Sequence, residues 1–343
     1  MAESTERELT EPVDLCDERG RLAPEAVGWS RRPLHRANLA GPWGRRKRWE
    51  YWCVTSPELY VSITYADVDY AGIAALWVAR PRDGLVVDAA RIVPLGRGIA
   101  LPDTPGTGTM AYEGGGLSIR IDDRPDHTRL TAATTDTAVG AVRVEITVDR
   151  PPGHETLGVV IPWSSRRFQY TSKQNTRRAV GEVRLGDDTV ALGGDGPEAF
   201  ATLDLGRGVW PYAIRWNWGS GSGRSADGRV VGLQFGGKWT EGTGLTENAL
   251  CVDGHLTKIH DELVWEYDWD RPLEPWRVHD PAGRVDARLA PVHDRHSRAS
   301  LGVLSMEVHQ VFGTWAGTLR TDAGDEVAFD DVVGWAEEAR NRW

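Results

Sequence analysis

The chain has 343 residues, of which 40% are hydrophobic and 26% charged, and its formal net charge is −10. This length favours two domains of ordinary size, and the hydrophobic content suffices for two cores. The acidic balance argues against nucleic-acid binding, because contact with phosphate groups requires a basic surface.

The cysteines and the N-terminus indicate a cytoplasmic protein. Cys16, Cys53 and Cys251 lie far apart and show no zinc-binding spacing. An odd number of cysteines without a disulfide framework is typical of a reducing compartment. The first residues are too acidic for a signal peptide, and no apolar run approaches the roughly 20 residues that cross a bilayer. We therefore expect no membrane insertion, and the sequence does not indicate an oligomeric state.

The predicted elements begin after a polar tail. Residues 1–14 are acidic and poor in apolar residues, which predicts a disordered N-terminal tail. Residues 15–49 are rich in Gly, Pro and Arg and are interpreted as an irregular arm over a barrel mouth. Runs of β-branched and aromatic residues bounded by turn formers then predict strands. The first series covers residues 50–56, 59–70, 71–80, 84–95, 116–123, 128–135 and 141–150.

A second series of strands follows residues 151–168, a Pro- and Gly-containing segment predicted to connect two barrels. Strand spacing of roughly 8–14 residues is close to that of β-sandwiches and barrels. The last segment, residues 330–343, has Val333, Ala336 and Ala339 at helical spacing and predicts a short C-terminal helix. The second series covers residues 179–187, 198–206, 213–220, 229–237, 248–260, 262–270, 276–281, 284–292, 302–322 and 326–332.

Residues 163–248 are the predicted functional stretch, because they combine aromatic rings with carboxylates, amides and cations at short range. Such a composition is typical of a concave ligand site with apolar walls and a few directing groups. We expect these side chains to converge on one cavity inside a closed sheet. The predicted substrate-binding aromatic residues are Trp210, Tyr212, Trp216, Trp218 and Trp239.

Asp204 is the predicted catalytic acid. It follows apolar residues of a strand, and a carboxyl group in apolar surroundings can hold and donate a proton at neutral pH. Tryptophan faces would stabilise a carbocation formed by that proton. In the alternative interpretation Asp204 pairs with Arg207 or caps a turn. Arg207 or Lys173 would hold the partner of Asp204 or the polar end of the substrate.

Two further groups are predicted to contact substrate. Gln174 and Asn175 follow Lys173 at the end of a strand-like run and either orient a polar ligand group or satisfy a bulge. Glu241 and Glu247 lie six residues apart on a Gly/Thr-rich segment at a predicted barrel mouth. A carboxylate pair flanking a cleft suits glycoside hydrolysis, although a solvated hairpin explains the same pattern.

Glu307 and His309 are the reserve catalytic pair. They share a strand face and suit acid–base chemistry or part of a metal site, although a hydrogen-bonded buried histidine is the simpler interpretation. HDRH at 293–296 is interpreted as a solvated turn rather than a ligand set. No nucleophile elbow or zinc-protease motif is present. We therefore predict no metal and no organic cofactor.

Several strings identify the chain as similar to a large bacterial family of unknown function, from Leu15 to Trp343. They are GHETLGVVIPWS, TSKQNT, GRGVWPY, GGKWTEGTG and GWAEE. That family resembles the carotenoid 1,2-hydratase (hydroxyneurosporene synthase) and AttH-like proteins, and some fungal Diels–Alder cyclases look similar. The resemblance implies an all-β fold of two tandem lipocalin-like antiparallel barrels, here residues 15–168 and 169–343, with the short C-terminal helix.

The resemblance also implies residue roles. In the wider group a Tyr-Ser-Thr strand, here Tyr170, Thr171 and Ser172, precedes a second-barrel strand carrying an Asp, matched by Asp204. The hydratases have Asp-Arg/His-Glu-Trp where this chain has Asp-Leu-Gly-Arg-Gly-Val-Trp, so the chain departs from the hydratase pattern between Asp204 and Trp210.

Three functions remain in view from the sequence. The resemblance implies cofactor-free proton transfer, as hydration, isomerisation or cyclisation of an apolar isoprenoid- or polyketide-like small molecule. The first alternative is a carbohydrate-active enzyme that uses tryptophan platforms and paired carboxylates. The second is a non-catalytic lipocalin-like ligand carrier.

Overall fold

A computed structural model describes residues 6–135, 137–301 and 303–342. Its strands are β1 (Val13–Asp14), β2 (Trp29–Ser30), β3 (His35–Arg36), β4 (Arg46–Thr55), β5 (Tyr60–Asp67), β6 (Ala71–Arg80), β7 (Leu85–Pro94), β8 (Gly108–Gly114), β9 (Leu117–Asp123), β10 (His127–Thr134), β11 (Val142–Asp149), β12 (Leu157–Ser164), β13 (Arg167–Leu185), β14 (Asp188–Leu192), β15 (Phe200–Val209), β16 (Ala213–Arg224), β17 (Val230–Gly237), β18 (Asn248–Val252), β19 (His255–Ile259), β20 (Val264–Glu266), β21 (Trp276–His279), β22 (Val285–Leu301), β23 (Leu304–Arg320) and β24 (Glu326–Arg342). Short 3-10 helices cover Pro24–Ala26 and Pro81–Asp83. The described residues include no helix with the length and apolar character that crossing a membrane requires.

The first large sheet is antiparallel and curls around its own core. Its strands follow the order β7-β6-β5-β4-β15-β13-β11-β10-β9-β8, and β2, β12 and β14 extend it through β12 and β13. Alternation decides which face is buried: in β9, Leu117, Ile119 and Ile121 are buried whereas Arg120 is exposed. Across the curled sheet, the Tyr65 hydroxyl of β5 donates a hydrogen bond to the Ala111 carbonyl of β8 at 3.1 Å.

The second sheet has nine antiparallel strands in the order β19-β18-β17-β16-β24-β23-β22-β21-β20. Its core contains Phe235, Trp276 and Trp315, which are buried among aliphatic side chains of the same sheet. The two curled sheets confirm the predicted all-β architecture of tandem lipocalin-like barrels. Along the chain, the last strand of the first sheet ends at Val209 and the first strand of the second sheet begins at Ala213. The second barrel was predicted to start at residue 169, but β13 and β15 belong to the first sheet.

Aromatic residues join the outer faces of the two sheets. Phe312 of β23 stacks on Tyr60 at 4.8 Å and on Trp77 at 5.1 Å between ring centroids, and both partners lie in the first sheet. Trp218 and Trp335 of the second sheet meet edge to face at 5.0 Å in the same cluster. This packing fixes the spacing of the sheets, and the space beside it holds the site described below.

The predicted C-terminal helix is wrong, because residues 326–342 form β24. This strand lies centrally in the second sheet, between β16 and β23. Residues 332–339 are buried on both faces, one against the barrel interior and the other against the first sheet. Burial on both faces hides the alternation that would otherwise indicate a strand.

Two other predicted segments also differ. Residues 1–5 of the predicted disordered tail lie outside the described residues, but Glu6 has a side chain only 3% exposed that pairs with Lys258 at 2.8 Å and His260 at 3.0 Å. The predicted connector at 151–168 contains β12, which pairs with β13 and with β2 of the N-terminal arm. His293–His296, predicted as a solvated turn, lies within β22.

Candidate functional site

A cavity of about 280 Å³ lies between the outer faces of the two sheets. The sequence led us to expect it inside a closed sheet, but it lies outside both barrels. Its walls come from β4, β5, β13 and β15 on one side and β16, β22, β23 and β24 on the other. The lining side chains are Trp49, Tyr51, Thr64, Ala66, Val68, Ile73, Thr171, Lys173, Asp204, Trp210, Trp216, Trp218, Trp239, Glu247, Arg295, Ser297, Met306, Val308, Gln310 and Glu337.

Strand register brings the polar centre of the cavity together. Lys173 of β13, Asp204 of β15 and Tyr51 of β4 are direct cross-strand partners, so their side chains leave the same face of the first sheet. Trp49 lies two residues before Tyr51 and shares that face. Its ring covers Gly206, where a Cβ atom would lie 2.1 Å from the indole. Gly206 therefore permits the close approach of Trp49 to β15.

Asp204 accepts hydrogen bonds from Trp49 Nε1 at 3.0 Å and from Thr171 Oγ1 at 3.3 Å. Its Oδ1 atom also lies 2.9 Å from Lys173 Nζ. Two hydrogen-bond donors and one ammonium group therefore surround this buried carboxyl group and fix its orientation in the cavity.

Lys173 lies between two carboxyl groups. Its Nζ atom is 3.3 Å from Glu247 Oε1 in addition to its contact with Asp204, and it lies 4.0 Å from the centroid of the Trp218 ring. Burial acts to lower the pKa of Lys173, but the two carboxylates outweigh burial and raise it. Lys173 is therefore a permanent cation at neutral pH, which excludes a role as a nucleophilic amine.

Glu247 is the second carboxyl group beside Lys173. Burial and the nearby charge of Asp204 raise the pKa of Glu247 to about 7, against the opposing effect of Lys173. Trp239 Nε1 donates to Oε2 at 3.2 Å, and Oε1 faces the Lys173 ammonium group at 3.3 Å. A carboxyl group with a pKa near 7 is suited to proton exchange at neutral pH.

Glu337 of β24 forms the opposite wall. Trp216 Nε1 donates to its Oε1 at 2.8 Å and Gln310 Nε2 donates to its Oε2 at 3.0 Å. Burial raises the pKa of Glu337 to about 7, although the Trp216 hydrogen bond opposes this effect. The Tyr51 hydroxyl donates to Gln310 Oε1 at 3.1 Å, so a chain of hydrogen bonds crosses from the first sheet to the second.

Arg207 does not reach the cavity. It lies three residues after Asp204 in an extended strand, so its side chain leaves the opposite face and enters the first barrel. There it is 0% exposed, pairs with Glu50 at 3.0 Å and donates to the Trp49 carbonyl at 2.7 Å. Neither its predicted catalytic role nor its predicted pairing with Asp204 matches this position.

Gln174 and Asn175 also lie away from the cavity. Gln174 points to the barrel side of β13, next to Ser172. The pairing of β13 with β15 shifts register between Gln174 and Arg177, and Asn175 Nδ2 donates to the Leu233 carbonyl of β17 at 3.0 Å. The bulge alternative thus describes this segment, which ties the two sheets together.

Tyr212 and Glu241 lie outside the lining as well. The Tyr212 ring is 42% exposed, and its hydroxyl donates to the Val303 carbonyl. Glu241 is exposed and borders a separate shallow pocket beside Trp163 and Lys238. The predicted carboxylate pair of Glu241 and Glu247 is therefore divided between an exposed loop and a buried site.

Glu307 and His309 lie on the barrel face of β23, opposite to the cavity face that carries Gln310. Glu307 contacts His296 at 3.1 Å, and His309 Nδ1 contacts Asp294 at 2.8 Å. This cluster is separate from the cavity.

Among the cavity-lining residues that were not predicted to form the site, five carry an aromatic ring, an amide or a charge. Trp49 and Tyr51 were assigned to an arm and a scaffold strand, and Glu337 to a helix. Their signal is alternation, because every second residue of a strand that borders the cavity faces it. The five residues are Trp49, Tyr51, Arg295, Gln310 and Glu337.

The arrangement is suited to proton transfer on a largely apolar molecule. The cavity offers five indole rings, the cations Lys173 and Arg295, the carboxyl group of Asp204 and two carboxyl groups with pKa values of about 7. Groups with pKa values near the working pH are the most effective general acids and bases.

Comparisons with known proteins identify a family and several solved structures of similar fold. Kievitone hydratase from Nectria haematococca aligns over 87% of this chain and 88% of its own, with 8% identity and a TM-score of 0.47. CghA aligns over 90% and 94%, with 12% identity and a TM-score of 0.45. An AttH-like protein from Nitrosomonas europaea aligns over 86% and 92%, with 12% identity and a TM-score of 0.49. Similarities this low carry no argument about activity.

No curated protein sequence matches the chain. A family model matches nearly all of it, and this match confirms the membership that the sequence motifs indicate. The chain belongs to the family described as Domain of unknown function (DUF2804), whose model covers residues 6–343.

Proposed function

We propose that the protein is a cofactor-free enzyme that transfers a proton to and from an apolar small molecule bound between its two sheets. The observation that carries this proposal is the contrast between Asp204 and Glu247, two carboxyl groups that share Lys173. Asp204 contacts Trp49 Nε1, Thr171 Oγ1 and the Lys173 ammonium group, whereas burial raises the pKa of Glu247 to about 7. Carboxyl groups with such different surroundings are suited to different roles in one reaction.

In this proposal Glu247 is the general acid, in place of the role predicted for Asp204. Glu247 protonates an alkene or enol carbon of the substrate, because its raised pKa keeps part of the carboxyl population protonated near neutral pH. The Asp204 carboxylate and the indole faces stabilise the resulting positive charge. Loss of a proton to a carboxylate completes an isomerisation. Attack by water gives hydration and attack by a second double bond gives cyclisation, and each is completed by loss of a proton from the resulting cation to a carboxylate.

Glu337 is the second candidate for proton exchange. It lies on the opposite wall, and burial raises its pKa to about 7 as well. Its contact with Gln310 links it to the Tyr51 hydroxyl. A base on the wall facing Glu247 would remove a proton from the far side of the bound molecule, as in a two-base isomerisation.

Cavity size and composition define the substrate class. A volume of about 280 Å³ holds on the order of ten water-sized groups, since one water takes ~30 Å³. The walls are mostly aromatic and aliphatic, and Arg295 and Lys173 supply positive charge. We therefore expect a small unsaturated molecule, isoprenoid- or polyketide-like, with one hydroxyl or carbonyl group.

Deuterium incorporation tests the proposal on many candidate substrates in parallel. The protein is incubated in D₂O with a panel of small terpenoid alkenes, enones and phenols, and each compound is analysed by mass spectrometry. For a compound that exchanges, Glu247→Gln should bind it as the native protein does but exchange it about 10²–10⁴-fold more slowly, the usual contribution of a general acid.

Glu241→Gln is the matched control, because this exposed glutamate lies on the same segment but outside the cavity. Its exchange rate should equal that of the native protein. Binding without exchange of any bound compound would instead support the carrier alternative. Equal loss of exchange in both variants would contradict the role of Glu247.

A further inference from the structure

A cluster of histidine and carboxylate side chains on β22 and β23 is independent of the cavity. His296 and His309 are direct cross-strand partners, and their rings stack in parallel with centroids 4.1 Å apart. Glu307, two residues before His309, lies 3.1 Å from His296 Nε2. One ligand atom from each of these three side chains lies within 4.8 Å of the other two.

We propose that His296, Glu307 and His309 bind a divalent first-row transition metal ion such as Zn²⁺. Two imidazoles and one carboxylate are a donor set that zinc uses when it keeps an open coordination position. Hard cations such as Mg²⁺ and Ca²⁺ prefer sites made only of oxygen atoms, so the histidines select against them.

Asp294 provides a separate indication of a metal site. Its Oδ2 atom lies 2.8 Å from His309 Nδ1, which fixes the imidazole so that Nε2 remains to bind a cation. A carboxylate on the distal nitrogen of a histidine is the usual orienting contact in metal sites and increases the basicity of the ligand. Trp269 packs edge-on against the same imidazole at 4.5 Å and further restricts its rotation.

The three ligands retain enough freedom to close around an ion. The His296 and Glu307 side chains are 43% and 31% exposed, whereas His309 is 12% exposed and held by its neighbours. Metal–ligand distances of about 2 Å require the donor atoms to move closer than they are now. Rotation of the two exposed side chains toward the fixed His309 provides this movement.

Nearby charges leave the cluster suitable for a cation. Arg340 of β24 is the cross-strand partner of Glu307, but it lies over the Trp269 ring at 3.6 Å and pairs with Glu338 at 2.8 Å, which compensates its charge. Arg298 faces Glu307 across the strands and is exposed to solvent, where its charge is screened. Glu307 and Asp294 supply the negative charge that a divalent ion requires.

Calorimetric titration of the full chain with ZnCl₂ at pH 7.5 tests the proposal. We expect one saturable site per chain, weakened at least tenfold by His296→Ala and by His309→Ala. Asp294→Asn leaves all three ligands in place and should weaken binding by about 10–100-fold, as expected for an orienting group. Titration with Co²⁺ should give the visible absorption bands of a low-coordinate nitrogen–oxygen site.

His127→Ala is the control, because it removes a histidine of the first sheet, far from the cluster along the chain. It should bind Zn²⁺ as the native protein does. If His309→Ala does not fold, the exposed His296 still provides the test. The absence of saturable binding, or equal binding by the native protein and His296→Ala, would refute the site.

Discussion

Single residues in this protein differ in role according to the face of the strand that carries them. Asp204 and Arg207 are three positions apart, yet one lines the cavity and the other lies inside the first barrel. Likewise, Lys173 lines the cavity, whereas the next residue, Gln174, points to the barrel side of β13. Chemical type therefore indicates a functional residue only after the face of its strand is known.

Glu337→Gln should change the pH dependence of stability. The pKa of Glu337 is about 7 in the folded chain and about 4.5 when exposed, so the folded state binds the proton more tightly. The stabilisation by this proton is complete below about pH 4.5 and is lost as pH rises through about 7. Because glutamine stays neutral, the variant should melt at least ~2 °C above the native protein at pH 8, and this advantage should shrink toward pH 5.

Thermal melts of both proteins at pH 5, 6, 7 and 8 measure this difference. Glu241→Gln serves as the reference, since its side chain is exposed. A difference in melting temperature that stays constant across the four pH values would show that Glu337 has no raised pKa.

Arg207→Met should destabilise the chain severely without altering the chemistry of the cavity. The change leaves the buried Glu50 carboxylate without its partner at 3.0 Å, and breaking a buried ion pair costs about 3–5 kcal/mol. Urea unfolding measures the loss. Arg277→Met removes an exposed pair with Asp286 and should cost no more than ~1 kcal/mol. Similar losses in the two variants would contradict the structural role of Arg207.

At the scale of elements, alternation allowed most strands to be predicted, because one face of each is solvated. In β11, Val142, Val144 and Ile146 are buried whereas Arg143 is exposed, and this segment was predicted within one residue at each end. The start of β24 was predicted as a strand at 326–332, but its later part was mistaken for a helix at 330–343 because residues 332–339 are buried on both faces. β12 was missed because its partner β2 comes from an arm with no strand pattern.

The candidate site was predictable only in part for a related reason. Four tryptophans, Lys173, Asp204 and Glu247 were selected correctly as neighbours, since they lie within one rich stretch of sequence. The opposite wall comes from β22 to β24, far along the chain, and nothing local in the sequence connects Glu337 or Arg295 with Asp204. Packing of the second sheet against the first brings these residues close to Asp204. No short sequence pattern indicates which strands of two sheets pack together.

Substitutions at Asp331 should test the bulge that bends β24. Val332 pairs with Trp315 and Phe329 with Gly317, so Asp330 and Asp331 together face Ala316. Asp331 has a φ of 58°, in the left-handed region. Asp331→Val should lower the free energy of unfolding by about 1–2 kcal/mol because a β-branched side chain is strained there, whereas Asp331→Gly should be tolerated.

Urea unfolding of both variants distinguishes backbone strain from side-chain loss. Glu326→Val, an exposed position of the same strand, should change stability by no more than ~0.5 kcal/mol. Equal effects of glycine and valine at position 331 would show that the conformation of the bulge does not limit the choice of residue.

At the scale of the whole molecule, the cavity exists because two curled sheets meet along their outer faces. Each sheet encloses a hydrophobic core of its own, and the cavity lies outside both cores. Asn175 and Glu6 add polar ties between distant parts of the chain and the second sheet. The contact between the sheets, rather than the barrels themselves, is therefore the element on which binding depends.

Phe312→Ala should uncouple the two sheets. Phe312 is fully buried between Tyr60 and Trp77 of the first sheet, and removing such a ring costs about 3–5 kcal/mol. Because the lost contacts join the sheets, calorimetry should show two thermal transitions in place of one. Phe235→Ala, which empties a similar volume inside the second barrel, should lower the melting temperature but keep the sheets unfolding together. A single transition in both variants would mean that the Phe312 contacts do not limit coupling, and that the cavity walls are held by the polar ties instead.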